Sequence, residues 1–314
     1  MNVDQVEGDT AIAVLASADF EVLAFGPRHA TLAAKLGVDL SDVVQMMDFI
    51  PLALRGDAHR AARQQAARIV GVGHADAMAL LPGLAKGLAD VLQTPGRHDL
   101  MADVVAPMTE ALVSALVGVP LQSPPDAMIS RVFSTAIGMA KRRRMNDEIA
   151  TLRARVAAAF PDEDAQTHGA RVSMAVLGRD ATVGTIGITL HHWLQGVTGV
   201  LGDAAFPQQP TRTGVPSISR QALRDTVVNG CPVAEGAVLA CNMQSLETGH
   251  DADHLRFFGA GAHVCLGRRL TLALFAEMAT AVMGVSTRLV EVEMTLRRDD
   301  IFVIPDRLWV TVQA

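Results

Sequence analysis

Phe258-Gly259-Ala260-Gly261-Ala262-His263-Val264-Cys265-Leu266-Gly267 is the stretch whose reading decides the fold. A cysteine ligates a metal as the thiolate, and a free cysteine is mostly protonated at neutral pH. A metal at the sulfur favours deprotonation. So does the positive end of the helix expected to begin after Gly267. Gly261 and Gly267 let the backbone turn tightly and present N–H groups to the sulfur. The plainer reading is a buried structural cysteine in a glycine-rich turn. A lone cysteine would be read that way, but this decapeptide carries more information than one cysteine.

The decapeptide satisfies the pattern F-x-x-G-x-[HR]-x-C-x-G without a substitution, and in this it resembles the haem-ligand loop of the cytochrome P450 superfamily. The resemblance implies a mainly α fold with a small β region, a shortened P450-like haem-thiolate architecture, as one haem-binding domain over residues 1–314. It implies haem b as cofactor, with Cys265 as axial ligand, and Phe258, Gly261, His263 and Gly267 as loop residues around it. His263 would donate to a haem propionate, and Phe258 would pack over the loop. His59 and Arg63, in GDAHRAAR, match the family's H-x-x-x-R, whose residues reach the propionates. Their spacing of four places them on one helix face. Arg220, in Pro216-Ser217-Ile218-Ser219-Arg220, resembles the arginine that also meets a propionate. Cys231-Pro232-Val233-Ala234-Glu235-Gly236 is similar to the hairpin turn that follows it, and DLMADVVAPMTEALVSALVGVP to the D–E region. His59, Arg63, Arg220 and His263 would then clamp two carboxylates through charge-assisted hydrogen bonds.

Other segments depart from the family. Its oxygen-activating helix carries [AG]-G-x-[DE]-T-[TS], where acid and alcohol relay protons. Here Leu177-Gly178-Arg179-Asp180-Ala181-Thr182 aligns with it. Asp180 keeps the acid, while Thr182 stands one residue, about 100°, further round the helix than the relay position taken by Ala181. Asp180 and Thr182 are the candidate catalytic residues, and an ion pair between Asp180 and Arg179 is the structural alternative. The helix-K motif E-x-x-R has its nearest counterpart in Gln209-Pro210-Thr211-Arg212, which lacks the acid and carries a proline hostile to a helix interior. The family's meander is shortened between Asn242 and His254, and its N-terminal sheet region is largely absent.

Half of the 314 residues are apolar, enough for a large core. A net charge of −6 and the lack of tyrosine argue against a nucleic-acid partner. Three cysteines make no disulfide framework, and the acidic start MNVDQVEGDT is unlike a secretory signal. No apolar run approaches the roughly 18–20 residues that span a bilayer. The expectation is a cytoplasmic protein without membrane association.

The periodicity predicts a short strand in Ala11–Phe25 with a turn at Ser17–Asp19. Helices follow at 57–71, 80–92, 98–120 (with a start or kink at Pro107), 139–160 and 172–194. Gly178, Gly184 and Gly187 in the last of these mark close approach of other groups. An irregular stretch at 196–216, a hairpin in 227–242 around Pro232 and Gly236, a loop at 244–264 and a helix at 267–284 complete the pattern.

Three functions remain open at this stage. The first is oxidation of a small apolar or metabolite substrate with O2 and electrons from a ferredoxin or flavoprotein. Arg60, Arg68, Arg268 and Arg269 would then offer an acidic carrier a docking face. The second is a haem-thiolate enzyme that does not activate O2: a peroxygenase, dehydratase or isomerase. The third is a non-catalytic haem-binding homologue. His250 and His254, with Asp251 and Asp253 between them and Cys241 nearby in sequence, also have zinc-ligand spacing, but a polar loop replacing the meander explains them better. Phe49–Leu54 and Val172–Thr185 are the expected distal-pocket segments.

Overall fold

The computed structural model describes residues 4–23, 26–121, 131–134, 137–247, 254–299 and 301–314. The chain begins with β1 (Asp4–Val6), α1 (Gly8–Ala16), β2 (Phe20–Val22), α2 (Gly26–Leu36) and α3 (Ser41–Met47). It continues through α4 (Gly56–Gln93), β3 (Gly96–Asp99), α5 (Ala106–Val117), α6 (Met139–Ala159) and α7 (Ala165–Gln195). Then come β4 (Ser217–Ala222), β5 (Thr226–Val228), β6 (Cys231–Val233) and β7 (Val238–Asn242). The chain closes with α8 (Arg268–Val282), β8 (Arg288–Arg298) and β9 (Val303–Gln313).

The helices at 57–71 and 80–92 are one helix, α4, of 38 residues. Pro82 lies inside it. Even so, Ala77, Leu81, Ala85, Leu88 and Leu92 are all buried at three- and four-residue spacing. Packing of that stripe outweighs the backbone hydrogen bond that proline forfeits. At Gly73 a Cβ would come within 2.6 Å of the Ala115 and Leu116 carbonyls, so glycine lets α4 cross α5 closely. Pro107 stands in the first turn of α5, where its missing N–H costs nothing, and Gly118 ends that helix at φ 72°. Ahead of α5 the chain forms β3 and a π-helical turn, Met101–Val105, rather than continuous helix from 98.

α7 runs through the main core, and Asp164 caps it by accepting the Thr167 N–H at 2.7 Å. Of the three glycines singled out in its sequence, Gly178, Gly184 and Gly187, two are required by contact. A Cβ at Gly184 would meet the Val303 carbonyl at 2.6 Å, and one at Gly187 would meet Met101 Sδ at 2.7 Å. At Gly178 the nearest atom would be 4.0 Å away, so close approach does not explain that glycine.

The strand predicted from Ala11 is instead helix α1, with the strand displaced to β2 beyond the turn. β1 and β2 join β7 and β4 in a four-stranded sheet of order β1-β7-β4-β2, so part of the N-terminal sheet is retained. β1 pairs parallel with β7, placing Val6 opposite Cys241, and β4 pairs antiparallel with β7, placing Arg220 opposite Leu239. The predicted hairpin is β5–β6, turning at Asn229–Gly230, both at positive φ. Pro232 lies within its second strand, and β7 leaves to pair elsewhere. β8 and β9, unassigned in the sequence reading, form a long hairpin that joins β3.

A second apolar cluster gathers Ala11, Val14, Leu15, Phe20, Leu239 and Cys241, with Phe257 and Ala260 of the ligand loop packed against it. The N-terminal segment therefore supports that loop from behind. No helix among the described residues is long and apolar enough to cross a membrane.

Gly184→Ala should lower stability by about 1–3 kcal/mol, because backbone cannot yield to the new Cβ. Gly178→Ala should be neutral or raise stability by up to about 1 kcal/mol. Thermal unfolding of the two variants measures the contrast; an equal loss in both would contradict the packing described.

Candidate functional site

The ligand loop is closed by its own backbone. Cys265 N–H donates to the Phe258 carbonyl at 2.8 Å, and Gly259 N–H to the Arg256 carbonyl at 3.0 Å. Gly259 and Gly261 have φ of 79° and 63°, a region that penalises any Cβ. At Gly261 a Cβ would also meet Ala16 Cα at 3.1 Å, so this glycine seats the loop on the end of α1. Gly267 has an ordinary φ of −79° and precedes α8 as its N-cap. Its value lies in its N–H. Gly259, which the ten-residue pattern leaves free, needs its conformation more than Gly267 does.

The backbone N–H groups of Gly267 and Arg268, at the positive end of α8, lie near the Cys265 sulfur and favour its thiolate. Burial pushes the thiol pKa up; these donors and the Arg63 guanidinium pull it down, with burial the larger effect. Protein crowds the sulfur, yet Cys265 retains accessible surface. A group both crowded and accessible lines a hollow rather than sitting in a packed core.

Four predicted clamp residues converge beside it from three parts of the chain. The Arg63 side chain, on α4, donates to the Val264 carbonyl inside the ligand loop. His59, one turn earlier, faces His263 with ring centroids 4.1 Å apart. Arg220, buried in β4, donates to the Ser219 carbonyl at 3.1 Å and has Cys241 as a neighbour. Desolvation, with the charges of Arg63 and Arg220, lowers the pKa of His59; desolvation, His59, Arg220 and Arg63 together lower that of His263 to about 3. His59 Nε2 and His263 Nδ1 are buried without a hydrogen-bond partner. Two orphaned ring nitrogens beside two guanidiniums make an anion-seeking set. It suits a pair of carboxylates next to a sulfur ligand, and in this respect the residues fit haem.

Asp180 and Thr182 are placed differently. Asp180 is buried at 1% exposure and pairs with Arg179 at 3.0 Å, while Arg179 also holds Glu110. Burial raises the Asp180 pKa to about 6 despite the attraction of Arg179 and Arg297. Asp180 Oδ2 has no hydrogen-bond partner. Among the described residues no hydrogen bond or ion pair joins Asp180 to the Cys265 group; its ion pair is with Arg179. Along the middle of α7, where most residues are buried, the partly exposed positions 174, 177, 178, 181, 182, 185 and 188 form one face. Ala181 is central on that face and Thr182 lies at its margin. Thr185 accepts the Gly214 N–H at 3.0 Å, so the face adjoins the segment leading into β4 and Arg220.

The two expected distal segments do meet. The Phe49 ring lies over Gly169, where a Cβ would come within 2.2 Å of it, and Ser173 donates to the Phe49 carbonyl at 3.1 Å. Outside Phe49 a groove of about 340 Å³ opens between α3, α6 and the start of α7, sharing no residue with the Cys265 group. His250, Asp251 and Asp253 of the zinc reading lie outside the described residues, as does the side chain of His254, and Cys241 is buried in β7. Among the described residues no cluster of three metal-binding side chains occurs.

The sequence carries no clear sign of Glu247, which pairs with Arg212 across a segment that contains no α-helix. Its only available signal was an acid shortly after β7, with no spacing rule linking it to Arg212.

No protein-family model and no curated protein matches the sequence. Solved structures do match the coordinates. P450BioI, in complex with an acyl carrier protein ligated with hexadec-9Z-enoic acid, superimposes with a TM-score of 0.74 at 16% identity, covering 98% of this chain and 91% of that one. The versatile cytochrome P450 enzyme CYP109B1 from Bacillus subtilis gives 0.67 at 16% identity, covering 98% and 92%. A thermophilic cytochrome P450 from Sulfolobus tokodaii gives 0.65 at 15% identity, covering 99% and 94%. Agreement over nearly the whole of each chain, with the ligand loop and its basic neighbours in one place, leads to a plain conclusion: this chain has the cytochrome P450 fold, in shortened form.

Proposed function

We propose that the protein is a haem-thiolate oxidoreductase of the monooxygenase type, holding haem b through Cys265 and oxidising a small apolar substrate with O2. The observation that carries this reading is the Cys265 sulfur at the start of α8, in a loop that Arg63 holds through the Val264 carbonyl and where His59 and His263 meet beside Arg220. When bound, a thiolate-ligated haem supplies the redox chemistry that favours O–O cleavage.

The chain's own residues have distinct tasks in this scheme. Gly267 and Arg268 N–H groups hold the charge on sulfur, and Arg63 fixes the loop through Val264. Arg220 and the two histidines bind the carboxylates and so set the cofactor's orientation. Met174, Leu177, Ala181 and Ile188 give the exposed face of α7 an apolar character, which suits an apolar substrate and excludes water. The hexadec-9Z-enoic acid carried in the P450BioI complex is a ligand of comparable apolarity. Arg60 and Arg68 on α4 and Arg268 and Arg269 on α8 are all exposed, and these two helices pack together. They support docking of an acidic electron carrier, a ferredoxin or flavoprotein.

Reduction of the protein under CO should give a strongly red-shifted Soret band, and Cys265→Ser should abolish it. A band at the position typical of histidine-ligated haem in the unaltered protein would refute the ligand assignment. Arg220→Ala should leave the band in place but speed haem loss about tenfold or more, the effect of removing one charged hydrogen bond.

A second reading rests on Ala181, which puts a methyl group where a relay hydroxyl is expected, while Asp180 is engaged with Arg179. On this reading the enzyme uses peroxide, or dehydrates or isomerises its substrate. Product formed with peroxide alone, and none with O2 and a reductase system, would favour it. Ala181→Thr should then raise O2-dependent turnover by about tenfold or more, given what a positioned proton donor contributes.

A further inference from the structure

We infer that Arg212 and Glu247 form a positioning pair that holds the ligand loop at its level against α7, in the place of the absent helix-K acid. The inference rests on the haem-thiolate reading for its purpose, though not for its geometry.

Arg212 lies in a stretch without α-helix, between α7 and β4. Its Nε stands 3.6 Å from Glu247 Oε2, and the two side chains are only 23% and 12% exposed. The contact is more than a charge pair. Arg212 Nη1 donates to the Glu247 carbonyl at 3.3 Å, and Thr213 N–H donates to Glu247 Oε1 at 2.8 Å. Side chain and backbone of Glu247 are thereby both engaged, which fixes orientation as well as distance.

The pair has firm ground on one side. The Thr189 hydroxyl of α7 donates to the Arg212 carbonyl at 3.2 Å and accepts the Arg212 N–H at 3.3 Å. Arg212 Nη2 also reaches His192 Nδ1 at 3.4 Å. Gly214 packs directly on the backbone of Gly184. The other side leads to the metal ligand. Glu247 follows the turn Gln244–Leu246, which packs against the turn His254–Phe258. Phe258 in turn holds the Cys265 N–H. Arg212 also begins the run that enters β4 and ends at Arg220. One ion pair thus ties together the strand bearing a clamp arginine, the loop bearing the sulfur and the helix forming the opposite wall.

The test is amide hydrogen exchange of the purified full-length chain, as isolated and after addition of haem. Arg212→Met and the milder Glu247→Gln, which keeps an acceptor for Thr213, should each speed exchange in peptides covering 254–267 by about tenfold. Peptides of β8 and β9 should exchange as in the unaltered protein. With haem added, both variants should show a larger share of the CO-bound band at the non-thiolate position. Unchanged exchange in 254–267, or equal acceleration throughout the molecule, would overturn the pair's positioning role. Absence of a red-shifted band in the unaltered protein would overturn the haem assignment instead, while the exchange comparison still decides the pair.

Discussion

A sulfur anion taken out of water must be repaid in place, and the arrangement around Cys265 is organised by that requirement. Burial alone favours the thiol. Two N–H groups at the head of α8 and one guanidinium from α4 work in the opposite direction, and an iron ligand would complete the reversal. For the N–H groups to point correctly, the loop must close on itself between Phe258 and Cys265. That closure needs left-handed backbone at Gly259 and Gly261. Gly261 in turn requires the end of α1 to lie directly beneath it, which draws the N-terminal segment and the four-stranded sheet into the support of one atom.

The same economy appears in the clamp. Arg63 donates a hydrogen bond to the ligand loop, Arg220 is fixed within β4, and the two histidine rings meet tilted, each with a nitrogen left unpaired. Leaving buried polar atoms without partners costs free energy, so two of them adjacent to two guanidiniums suit an anionic guest. Asp180 also keeps a buried oxygen without a partner, but among the described residues its ion pair is with its sequence neighbour Arg179.

Loss of the helix before β4 removes a rigid element and with it the local acid–arginine spacing. Arg212 remains, and a carboxylate reaches it from Glu247, thirty-five residues further along. Contraction of the fold is tolerable where an interaction, rather than the element that usually carries it, is what the site needs.

The fold class was legible in the sequence, and so were Cys265 as a candidate ligand and its basic neighbours as a candidate clamp, because each rests on a short pattern with strict local chemistry. Cys265 must follow its glycines closely, and His59 and Arg63 must be four apart to share a helix face. Gly118, Pro107 and the α6 boundaries were legible for the same reason, since caps and breaks act within one turn. Tertiary structure decided what local patterns cannot hold. It joined two predicted helices into α4, since burial of one continuous stripe outweighs the local cost of Pro82. It turned the apolar run at Ala11 into a helix, because α1 has a loop to support. It turned Asp180 towards Arg179, and it paired Arg212 with an acid that no spacing rule connects to it, because Coulomb attraction depends on distance through space and not along the chain.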